Sequence, residues 1–104
     1  MLRAFSTEIR FARAKTRYAE RLSLASQNAG EKFYWMTCSM YFSSRLCYMQ
    51  DRRALARQQY DIGVGLLKDA RQQGGSPAGN PELQIRMWQL AKEMNNLCNW
   101  LSNP

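Results

Sequence analysis

Apolar residues recur at three- and four-residue intervals along most of the chain, and that period predicts four helices, over about 6–28, 31–50, 52–73 and 81–102. In the first, Phe5, Ile9, Ala12, Ala19 and Leu22 project to one broad side, with Phe11 and Tyr18 at its edge. Ser6 is placed to cap the first turn and Glu8 to sit near its positive end. Asn28-Ala29-Gly30 is suited to end the helix in a left-handed turn. On the side away from the apolar stripe, Arg3, Arg10, Arg13, Arg17 and Arg21 fall within an arc of about 80°. That is an arginine stripe along the whole helix.

The second segment has no polar side at all. Phe33, Tyr34, Trp35, Met36, Met40, Tyr41, Phe42, Leu46, Cys47, Tyr48 and Met49 surround the helix, which makes it either the central member of a bundle or part of an interface. Tyr34-Met36-Cys38-Met40-Phe42 also alternates as a strand would, but the chain has no hairpin turn and a lone strand would have nothing to pair with. No Pro or Gly separates this segment from the third, so one long rod over 31–73 and two helices capped at Asp51 both fit. In the third segment Ala56, Tyr60, Gly63, Val64 and Leu67 form the main stripe, joined by Leu55, Ile62 and Leu66.

Residues 74–80 are the clearest loop, flexible by composition: Gly74-Gly75-Ser76-Pro77-Ala78-Gly79 precedes Asn80-Pro81-Glu82, an Asn cap, a Pro in the first helical position and an acid after it. The last segment spaces Leu83, Met87, Leu90, Ala91, Met94, Leu97, Cys98 and Leu101 like a bundle seam, with Trp88 and Trp100 beside it. The predicted fold is all-α, a compact bundle of three to four helices forming a single domain over residues 1–104.

Composition narrows the classes. Five Tyr, four Phe, three Trp and six Met give a filled interior and exclude a disordered chain. The net charge is +7, and its eleven Arg against four Lys favour forked, two-point recognition of carboxylate or phosphate. The excess positive charge sits mainly on the first helix, with a smaller cluster at Arg45, Arg52, Arg53 and Arg57. The opening residues Met1-Leu2-Arg3-Ala4-Phe5 do not read as a signal peptide. Residues 33–49 are too short for a membrane span and contain Arg45, which alone would cost ~2.5–3.5 kcal/mol at a bilayer centre. Cys38, Cys47 and Cys98 are odd in number and match no zinc spacing, so at least one thiol is free; a reducing compartment, the cytoplasm, is expected.

Catalytic chemistry finds little to work with. There is no His, the usual general base, and the eight carboxylates are scattered beside Arg or Lys. Gly63-Val64-Gly65 with Lys68 resembles a phosphate loop only superficially, because a helical run precedes it; the glycines read as notches for close helix approach. No catalytic residue, metal ligand or cofactor is expected. The expected role is a non-enzymatic regulatory, adaptor or inhibitor protein that docks on an acidic protein surface. Its binding residues would be Arg3, Arg10, Arg13, Arg17 and Arg21, the cluster Arg52, Arg53 and Arg57, and the anchors Tyr34 and Trp35. The alternative is nucleic-acid binding by the same arginine face, with Tyr18 or Phe11 stacking on bases. A small bundle cannot hide aromatics on every side of one helix, so a homodimer is also expected. Small accessory proteins of viruses, phages or plasmids share this composition, an analogy of composition alone.

Overall fold

A computed structural model describes residues 6–25, 29–73 and 81–102, and only the corner Gln50-Asp51-Arg52 among them is not α-helical. The helices are α1 (Ser6–Ala25), α2 (Ala29–Met49), α3 (Arg53–Gln73) and α4 (Pro81–Ser102), an all-α bundle as the periodicity predicts. Arg3, Asn28 and the loop expected over 74–80 lie outside the described residues. Ala29 and Gly30 belong to the first turn of α2, two residues earlier than the pattern suggests, so Gly30 is part of a helix and not of the turn before it.

Residues 31–73 form two helices, and the break has a defined geometry. Asp51 adopts φ 61°, the left-handed region. The Arg52 N–H donates to the Cys47 carbonyl at 2.8 Å and the Asp51 N–H to the Tyr48 carbonyl at 3.1 Å. That pair of bonds is the Schellman closure of a helix C-terminus. Arg52 then takes the cap position of α3, its carbonyl accepting from the Ala56 N–H at 2.9 Å. Asp51 therefore closes α2; it does not cap α3, as the sequence suggested.

Small residues decide which helices come close. Ala56, Gly63 and Ala70 repeat every seven residues along the buried side of α3. Against them α2 sets Ser44, whose Oγ donates to the Ala56 carbonyl at 2.6 Å, and Met40, whose Cβ lies 3.4 Å from where a Gly63 side chain would begin. Ser43 and Cys47 both donate to Gln59 Oε1 across the same seam. α1 buries Ala12, Ala19 and Ser23 in a similar narrow strip. α4 uses bulky residues instead: Leu83, Met87, Leu90, Met94 and Leu97 complete the core with Tyr34, Tyr41 and Leu67. Gly63 marks the point where α2, α3 and α4 converge, since Met94 Cε also lies 3.4 Å from its would-be Cβ. Gly65 has nothing within 4 Å and is no notch, against the sequence reading.

α2 is the central helix. From Gly30 to Gln50 only Lys32 is exposed. α1 packs on α2 alone, whereas α3 and α4 pack on α2 and on each other. No Cα of α1 comes within 8 Å of α4 among the described residues. The molecule measures 46 × 26 × 19 Å, about two helix layers thick. No helix among the described residues is long and apolar enough to cross a membrane.

Candidate functional site

Two separate surfaces emerge on opposite sides of α1. The first is the arginine stripe. Because Ala12, Ala19 and Ser23 turn inward, the helical period leaves Arg10, Arg13, Arg17 and Arg21 outward, and all four are exposed. No ion pair joins any of them to an acid among the described residues; Glu20, the nearby acid, is exposed and forms none. Leu24, 81% exposed, lies on the same outward side. Guanidinium groups held this way keep their full set of donors for a ligand.

The second surface was not legible as a unit in the sequence. The gap between α1 and α4 is a trough of about 900 Å³ floored by α2. Tyr34, Trp35, Cys38, Tyr41 and Phe42 make the floor, Tyr18 stands on the α1 side and Trp88 on the α4 side. Four cations, Lys15, Arg45, Arg86 and Lys92, line it against the single carboxylate of Glu93. Most of these cations rest on rings. Lys15 Nζ lies 4.4 Å from the Phe11 centroid and 5.1 Å from that of Phe42, and Lys92 Nζ lies 4.4 Å from that of Trp88. Arg45 packs over Tyr41, donates to its hydroxyl at 3.3 Å, and that hydroxyl donates to Glu93 Oε2 at 3.1 Å. Arg86 pairs with Glu82 one turn earlier at 2.7 Å.

The floor is un-ionised at neutral pH. Burial pushes the Tyr41 phenol up to about 12, with Arg45 pulling down and Glu93 pushing up. Burial likewise lifts the Cys38 thiol to about 11 and raises Tyr34 above its ordinary value. A thiol in that state is a poor nucleophile. The trough thus offers apolar surface, donors and positive charge. No cluster of three metal-binding side chains exists among the described residues.

The predicted binding residues divide. Arg10, Arg13, Arg17 and Arg21 share one face. Arg52, Arg53 and Arg57 are exposed at the α2–α3 corner, where Arg53 lies over Tyr48, Arg57 lies over Tyr60, and Trp100 stacks on Tyr48 at 6.0 Å. Arg45, grouped with them by sequence, points instead into the trough. Tyr34 is buried, 8% exposed, and Trp35 is half-buried, edge-on to Tyr34 and Tyr18, so neither stands out as a free anchor. The central position of α2 explains this: its aromatics lie between the other helices, buried or half-buried, some of them at the base of the trough. The exposed aromatics among the described residues are Phe11, Tyr18, Trp88 and Trp100. Lys15, Phe42, Arg86 and Lys92 were missed because they come from three different helices, and only the placement of α1 and α4 on either side of α2 brings them to one trough.

Fold and surfaces together define a small all-α protein with a basic outer face and a basic, aromatic trough. Comparison with protein-family models, with curated proteins and with solved structures finds no match to this chain.

Proposed function

We propose that this chain is a non-enzymatic binding protein, a regulator, adaptor or inhibitor that docks on an acidic protein surface through Arg10, Arg13, Arg17 and Arg21. One observation carries the reading: the four guanidinium groups are exposed, aligned and without an acid partner among the described residues. A stripe needed only for solubility would serve equally well with acids interspersed. Forked donors repeated along one helix face suit carboxylates on a partner. The protonated Cys38 and the absence of His agree with binding as opposed to turnover.

The test is charge reversal. Arg10→Glu, Arg13→Glu and Arg17→Glu together should abolish capture of the partner from the native host and leave far-ultraviolet circular dichroism unchanged. Capture that persists would move the site elsewhere. Titration with DNA and RNA at low salt should show no binding. If the four arginines instead neutralised phosphates, affinity would be measurable and would fall roughly 150-fold between about 50 and 200 mM salt.

The expected homodimer cannot use this stripe, because two-fold symmetry would set arginine against arginine. Leu55 and Ile62, exposed on α3, supply the apolar surface for it. Light scattering reads the mass against 12.1 kDa for one chain.

A further inference from the structure

We propose that the trough between α1 and α4 is a second docking site, whose occupant is an acidic amphipathic helix of a partner protein: apolar side chains on the α2 floor, carboxylates on the flanking cations. It goes beyond the arginine-stripe reading and stands or falls independently of it.

The argument is one of complementarity. Tyr18 is 62% exposed and Trp88 60% exposed on the two sides, so the space is an open channel between helices and not an enclosed cavity. A small ligand ordinarily buries ~70–90% of its surface, which an open channel does not provide. A helix laid along the channel would bury its apolar face on Phe42, Trp35 and Tyr18, the usual helix-in-groove arrangement. Lys15 approaches from the α1 side and Lys92 from the α4 side, beside Arg86 in its pair with Glu82, so an acidic helix meets positive charge on both flanks. A helix carrying Lys or Arg would meet repulsion on both.

One detail disfavours a nucleic-acid strand. Bases need open ring faces, but Lys15 lies over Phe11 and Phe42, Lys92 lies over Trp88, and Trp35 is engaged edge-on by Tyr18 and Tyr34.

The experiment uses a fluorescein-labelled synthetic peptide of about five helical turns, with Leu and Phe on one face and Glu on both flanks. Its Lys-flanked counterpart, a single-stranded oligonucleotide and anionic phospholipid vesicles are the comparisons. The Glu peptide should bind the intact protein, with anisotropy rising to saturation by micromolar concentrations. Tyr18→Ala should weaken it about 30-fold, as loss of an aromatic anchor does. Lys15→Glu with Arg86→Glu should weaken it by at least as much. All three positions are exposed, and circular dichroism checks that each variant folds. Arg10→Glu, Arg13→Glu and Arg17→Glu should leave this affinity unchanged. Any of four results would overturn the proposal: no binding at millimolar peptide, equal binding of the Lys peptide, undiminished binding by the trough variants, or displacement by oligonucleotide or vesicles but not by unlabelled Glu peptide.

Discussion

Asp51 occupies a backbone conformation in which a Cβ is unfavourable, and its φ of 61° is the only positive one among described non-glycine residues. Asp51→Gly should therefore stabilise the protein by roughly 1 kcal/mol, read as a higher urea midpoint with an unchanged slope. Its pair with Arg53, 3.9 Å apart and exposed, contributes too little to reverse that sign. The two glycines of α3 separate on similar grounds. Gly65→Ala should stabilise by about 0.5–1 kcal/mol, since a methyl there meets nothing and the helix gains. Gly63→Val should destabilise by about 1–3 kcal/mol, because the branched side chain has Met40 on one side and Met94 on the other. Sequence placed both glycines as notches. Nothing in their spacing tells which one faces a neighbour, and only the register of α3 on α2 separates them.

Among the helices, α1 alone rests on a single neighbour. It packs on α2 alone, through Ala12, Ala19 and Ser23, and these small side chains bring the two backbones together while burying little apolar area. Native-state hydrogen exchange should show α1 amides exchanging faster than those of α2 and α3. Ala19→Leu should overfill the seam, costing about 1–3 kcal/mol and widening that difference in exchange. The helices themselves were legible, because amphipathic period, a Pro at Pro81 and the arginine arc are local patterns. The predicted seam of α4 matches its buried residues closely. The corner at Asp51 was less legible, since an acid in the left-handed position looks in sequence like a cap for the helix that follows. The burial of Tyr34 was illegible for a different reason: an all-apolar helix can be a core or an interface, and its own sequence does not distinguish the two. Tyr34 belongs to the core, and the exposed rings belong to helices with a polar side.

At the scale of the molecule, burial of thiols and phenols sets the alkaline limit. Unfolded, these groups ionise near their ordinary values of 9.0 for Cys38 and 10.0 for Tyr41 and Tyr60; folded, they hold their protons to about 11, 12 and 12. The folded state thus binds more protons across that window, and its stability falls as pH rises through it. Urea midpoints should be unaffected by these groups below about pH 9 and decline above it; a midpoint still flat at pH 11 would show the three groups to be open to solvent. The trough was invisible to sequence because it is made by an absence of contact, the failure of α1 to reach α4, and periodicity reports only where each helix is greasy. Its three-helix construction has one more outcome. The indoles of Trp35, Trp88 and Trp100 occupy a half-buried floor, an outer rim and a stack on Tyr48. Variants retaining one indole each would therefore divide the protein's ultraviolet emission into three local signals, letting occupancy of the channel, motion of its edge and loosening of the far corner be followed separately without any attached dye.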